Sequence, residues 1–263
     1  MSPDNALWAP LAGAILIALP CAAVGAYVVL RRMAFIGDAL SHTVLPGLVV
    51  AALAGWNLSL GALAAGVSTA FGIGWLAKRR GLREDTAIGV LFTAMFALGV
   101  ALASARFDAE ELHHLLFGDL LRLRPADLPL LAAVAVAVFA ALFLVHKELE
   151  LASCDPTYAE VIGIPTDRLR YLLLGLIALT TVAGLRAAGV LLTTALLVTP
   201  AAAAALLTRR LTRMMGLGAA IAVVSSVAGL FASRATGMPA GAAIVLTATV
   251  LFGAAWLLRG ARS

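Results

Sequence analysis

The chain has 263 residues, 62% of them hydrophobic and 13% charged, with a mean hydropathy of +1.02. No water-soluble domain of this size carries so much apolar surface, so a soluble enzyme or binding module is excluded in favour of a polytopic membrane protein. The net charge of +5 and pI of 9.9 do not signal nucleic-acid binding, because the basic residues are scattered over loops rather than gathered in one patch.

Charged residues punctuate long apolar intervals. Residues 11–30 carry no charge, and neither do residues 39–77, which Trp56, Asn57 and Ser59 divide into two spans. Further uncharged intervals are 86–105, 128–146, 171–185, 187–208, 214–233 and 235–258. They predict an all-α membrane protein, one transmembrane domain over 1–263 with about nine transmembrane helices. The interval 171–185 must borrow flanking residues to reach the ~17-residue minimum for a span. Only Asp4 precedes the first interval, with no basic n-region, which predicts a retained span rather than a cleaved signal peptide. Cys21 falls in the first span and Cys154 in a loop, so no disulfide framework is expected. Pro20, Pro46 and Pro200 lie within apolar segments, either as kinks tolerated by neighbouring helices or as breaks lining a pathway.

Orientation follows from the basic residues. If the first helix runs inward to Arg31-Arg32, the inner side holds Arg31, Arg32, Lys78, Arg79, Arg80, Arg83, Lys147, Arg168, Arg170, Arg209, Arg210, Arg213, Arg259 and Arg262. The outer side keeps only Arg106, Arg122, Arg124, Arg186 and Arg234. This bias predicts the N-terminus outside and the C-terminus inside. Single cysteines at positions 80 and 110, in a chain without Cys21 and Cys154, provide the check. Position 110 should label from outside and position 80 should not; the reverse pattern inverts the topology.

The segment Arg31-Arg-Met-Ala-Phe-Ile-Gly-Asp-Ala-Leu-Ser-His-Thr-Val-Leu-Pro-Gly47 places Asp38 and His42 at the head of an apolar stretch. Four residues apart on a helix, their side chains share a face. An ionisable group within a span costs roughly 2.5–3.5 kcal/mol even on the lenient scale, and so marks a candidate functional site. A carboxylate and an imidazole one turn apart make a half-site for a divalent metal. The alternative is that Asp38, six residues after Arg32, is a helix N-cap. Ser41 reads as a local cap or packing residue.

Two loops are long enough to carry function. The outer one, about 106–127, mixes acids with Leu112, Leu115, Leu116, Phe117 and Leu120, as in a helix lying at the membrane surface. Glu110, Glu111, His113 and His114 are spaced there either to receive a metal or simply to form a solvated polar face. In the inner one, about 147–170, Asp155, Ala159 and Gly163 fall at i, i+4 and i+8, followed by Pro165. They form a small-residue face on a short helix, suited either to docking in a groove of a cytoplasmic partner or to nothing more than connection.

Several chemistries are absent from the sequence. Neither lysine, Lys78 or Lys147, lies in a Gly-x-x-x-x-Gly-Lys-Ser/Thr loop, so no ATPase site is expected. There is no His-Glu-x-x-His and no Gly-x-Ser-x-Gly.

Four stretches carry a resemblance over nearly the whole length. They are Arg31–Gly47, Leu116-Phe-Gly-Asp-Leu-Leu121, Asp155 through Gly163-Ile-Pro165 to Arg170, and Gly189-Val-Leu-Leu-Thr-Thr-Ala-Leu-Leu-Val-Thr-Pro-Ala-Ala202. The chain resembles the permease subunits of bacterial ABC importers for zinc, manganese or ferrous iron. Siderophore and cobalamin permeases share the last two stretches more loosely, and the Asp38/His42 pair points to the metal-ion branch. Thr43, where a small apolar residue is usual, and Arg186, a charge at the outer mouth, are mild departures.

The resemblance implies a multi-pass protein of the bacterial plasma membrane, with two permease copies around a two-fold axis. It implies a cytoplasmic ATPase that binds the ATP and an extracytoplasmic metal-binding protein. Asp38 and His42 would be the metal ligands, and the segment with Asp155, Ala159, Gly163 and Pro165 would couple to the ATPase. The permease itself would need no cofactor beyond the transported ion, for which zinc is favoured over manganese or iron on the ligand set. The alternatives are a siderophore/cobalamin-type permease and an ion-coupled secondary metal carrier.

Overall fold

A computed structural model describes residues 7–80, 82–104 and 120–260, and among them every regular element is helical. The chain runs α1 (Trp8–Leu30), α2 (Ile36–Thr43), α3 (Leu45–Ala54), α4 (Leu58–Arg80), α5 (Glu84–Ser104), α6 (Leu128–Cys154), α7 (Pro156–Val161), α8 (Thr166–Leu207), α9 (Leu211–Thr236) and α10 (Ala240–Gly260). Short 3-10 turns, Leu120–Arg122 and Pro125–Asp127, precede α6.

Eight of the described helical segments, counting α2 and α3 together, are long and apolar enough to cross a membrane. The difference from the nine expected lies in α8. Its 42 residues would span roughly 63 Å if straight, about twice the hydrocarbon thickness. It is not straight: Gly189 has φ 83° and ψ 171°, outside helical geometry. A Cβ on Gly184 would lie 2.6 Å from Thr193 Cγ2, whereas nine residues of straight helix would separate these positions by roughly 13 Å. The chain therefore folds back at Gly189, and its arms, 166–188 and 190–207, stand where the predicted spans 171–185 and 187–208 lie.

This doubled helix is the hub of the bundle, packing against α1, α2, α4, α6, α9 and α10. Around it lies a core that includes the fully buried Tyr27, Met33, Ile36, Leu40, Leu173, Leu174 and Ile177. With no hydrophobic drive between helices in lipid, close approach through small residues supplies the packing. Gly47 of α3 and Gly61 of α4 show it: a Cβ on Gly47 would come 2.1 Å from the Gly61 carbonyl oxygen.

Of these three prolines, two lie inside helices and one follows a helix boundary. Pro20 and Pro200 lie inside α1 and α8. Pro46 follows a break at Val44 that separates α2 from α3. Proline lacks the N–H that a continuous helix would donate four residues back, here to the His42 carbonyl.

The link from α1 to α2 positions the site. Arg32 takes the left-handed conformation, φ 60°, and the Met33 N–H donates to the Val28 carbonyl at 2.9 Å, a Schellman-type reversal. Met33 is thereby tucked into the core, and α2 begins beside the last turn of α1. Tyr27 Oη lies 2.8 Å from His146 Nδ1, and His146 Nε2 lies 3.2 Å from Thr212 Oγ1, tying α1, α6 and α9 together. Arg31 Nε donates to Ser153 Oγ at 3.0 Å. Burial lowers the Arg31 pKa from its ordinary value, with Glu84 opposing.

Candidate metal site

Helix α2 starts at Ile36, with Phe35 in the N-cap position and no side-chain cap. Asp38 is the third helical residue, so the N-cap alternative does not hold: its carboxylate lies in the first turn, where the helix dipole favours negative charge, but it caps nothing. One turn on, His42 Nε2 lies 3.8 Å from Asp38 Oδ1. That is too long for a hydrogen bond. It is close to the roughly 3.4 Å that separates two donors sharing one tetrahedral ion. Both side chains are partly open, 41% for Asp38 and 30% for His42, so an ion can reach the pair in the single chain. Among the described residues no third His, Cys, Asp or Glu joins them. Ser41 is buried and donates to the Gly37 carbonyl at 2.9 Å, a bond within its own helix.

The other side of the imidazole is closed by carbon. The rings of Phe92 and Phe96 on α5 meet His42 edge-on at 5.9 and 5.4 Å, stack on each other at 5.9 Å, and Phe35 packs on Phe92 at 5.7 Å. His42 Nδ1 is buried and has no hydrogen-bond partner among the described residues. The sequence reading missed these phenylalanines. Their own i, i+4 spacing, matching that of Asp38 and His42, was the available signal.

The segment from Asp155 to Pro165 forms the expected short helix, but with a different outward face. Asp155 Oδ1 accepts from the Tyr158 N–H at 2.9 Å as the N-cap of α7, and Pro156 follows at the first position. Gly163, φ 85°, ends the helix, with the Ile164 N–H donating to the Ala159 carbonyl at 2.9 Å. Ala159 is fully buried, so the methyl that was expected to face a partner instead packs into the core. The exposed large apolar side chains are Tyr158, Val161 and Ile162, with Val161 81% open. Pro165 precedes α8, beside a polar cleft whose lining includes Lys78, Glu160, Asp167 and Arg170. Lys78 pairs with Asp167, and Arg170 Nε lies 3.3 Å from Glu84 Oε1, joining the C-terminal end of α4 and the N-terminal end of α5 to α8. Glu110, Glu111, His113 and His114 lie outside the described residues.

The comparisons agree with this architecture. Residues 4–259 match the ABC 3 transport family. The manganese transport system membrane protein MntC of Halalkalibacterium halodurans is 41% identical over 94% of this chain and 85% of its own length. A probable iron transport system membrane protein of Haemophilus influenzae is 35% identical over 91% and 88%. Among solved structures, PsaBC from Streptococcus pneumoniae in complex with Fab superposes with a TM-score of 0.83 at 32% identity, covering 96% of this chain and 91% of that one. With its apolar helices and these similarities, the chain is a multi-pass membrane protein and belongs to the ABC 3 transport family.

Proposed function

We propose that the chain is the permease of an ATP-driven importer of divalent metal ions in the bacterial plasma membrane, with Asp38 and His42 passing the ion. The observation that carries this reading is the pair itself: one carboxylate and one imidazole, side by side and partly open, in an otherwise apolar segment. The names of the relatives, manganese for one and iron for the other, support manganese or iron over the zinc that the ligand set alone favours. Two donors do not complete a metal shell, but a second copy about a two-fold axis would bring four. The pair lies beside α5, which turns most of its surface outward and is thus free to meet that copy.

Transport would proceed by alternating access. A binding protein delivers the ion to the outer mouth, with Glu110, Glu111, His113 and His114 available to receive it. ATP is bound and hydrolysed by a separate cytoplasmic subunit, whose closure moves α7. Tyr158, Val161 and Ile162 are the residues that α7 offers to that subunit.

Manganese uptake into proteoliposomes holding the permease, its ATPase and its binding protein tests the reading. Uptake should require ATP, and uptake without ATPase or nucleotide would indicate a secondary carrier. Val161→Asp places a charge on the exposed face of α7 without touching the core. It should lower co-purification of the ATPase and ATP-driven uptake by about tenfold or more, in line with the several kcal/mol that a desolvated, unpaired charge costs an interface. Unchanged uptake would remove α7 from the coupling surface.

A further inference from the structure

Metal-ligating histidines almost always donate their second ring N–H to a carboxylate, carbonyl or water, which fixes the ring and strengthens its donor nitrogen. His42 departs from this. Nε2 faces Asp38, while Nδ1 is buried without a partner among the described residues, on a ring flanked by Phe92 and Phe96. The phenylalanines stack at an interplanar angle of 12° and form one aromatic wall, with Phe35 packed on Phe92. The ring is thus oriented by aromatic packing and not by a hydrogen bond. We propose that Phe92 and Phe96 set the ion preference of the Asp38/His42 pair, holding His42 in place while denying its Nδ1 the acceptor that would strengthen Nε2 as a ligand.

The chemistry gives the direction. Affinity for nitrogen donors rises steeply from manganese to zinc, and manganese leans on carboxylate and water. Withholding an acceptor from the imidazole therefore weakens zinc more than manganese. A transporter must also release its ion, and a strengthened imidazole would hold zinc and block the route. Phe92 and Phe96 are positioning residues in this account, since neither supplies a donor to the ion.

The inference rests on Asp38 and His42 being the transport site, and the experiment separates the two. Manganese uptake is measured in the reconstituted transporter with increasing zinc. Phe96→Gln and, separately, Phe92→Gln each bring an amide acceptor to the wall. At least one should lower the zinc concentration for half-inhibition by about tenfold or more, the size of a gained outer-shell partner. Phe96→Leu, apolar and without an acceptor, should leave that concentration relative to manganese KM as in the parent. Asp38→Ala is run alongside. If it transports normally, the site assignment beneath the inference fails. If Asp38→Ala is inactive and the zinc sensitivity of both glutamine variants matches the parent, the role of the aromatic wall fails alone. A shift in Phe96→Leu as large as in the glutamine variants would assign the effect to packing and overturn the acceptor argument.

Discussion

Asp38→Ala and His42→Ala should each abolish metal uptake while leaving membrane insertion and ATPase docking intact. Removing an outer-shell partner of a metal ligand already costs ~10–100-fold. Here the ligand itself is lost, and two-fold pairing would remove two of four donors at once. The structure adds that neither residue is part of the buried core of α2, which comes from Ile36, Ala39 and Leu40: Asp38 caps nothing, and His42, although it packs on Phe92 and Phe96, is partly open. Asp38→Asn sharpens the test. Asparagine preserves shape and one coordinating oxygen but removes the charge that balances a dication. Uptake in Asp38→Asn should fall nearly as far as in Asp38→Ala. Parent-like uptake by Asp38→Asn in an assembled transporter would deny the carboxylate its role.

Much of this was legible in the sequence, for identifiable reasons. The spans follow from uninterrupted apolar intervals, because a spanning helix must satisfy its own backbone and face lipid. The proximity of Asp38 and His42 follows from helical spacing alone. What the sequence did not reveal depends on packing between elements far apart in the chain. Ala159 is small and sits in a docking-like pattern, yet a small residue suits a tight internal contact equally well, and only tertiary structure shows which way it points. Arg32 adopts a left-handed turn usually signalled by glycine. The position of Phe92 and Phe96 against His42 joins α5 to α2, and a phenylalanine in an apolar span is ordinarily just part of the span.

Gly189→Val should produce the largest structural effect of any single substitution proposed for this chain. At φ 83° and ψ 171° the residue occupies a region that essentially only glycine populates. A strained residue in such a region costs about 1–3 kcal/mol, and a β-branched side chain is the least tolerant kind. The strain falls where the consequences are greatest, because Gly189 is the fold-back between the two arms of the hub. Relief would require opening the reversal, which would pull Thr193 away from Gly184 and disturb the arm whose Leu197 packs beside Gly37 of α2. Both the bundle and the placement of Asp38 depend on that arm. The expected result is a marked drop in the amount of folded, ATPase-bound transporter and loss of uptake in what remains, measured by size-exclusion chromatography of the detergent-extracted complex and by metal uptake. Gly253→Val is the control, because Gly253 lies in α10 with no atom in the way of a Cβ and no unusual backbone angle. It should cost far less. Equal yields of the two variants would show that the reversal at Gly189 tolerates a side chain, and would remove this glycine as the determinant of the doubled helix.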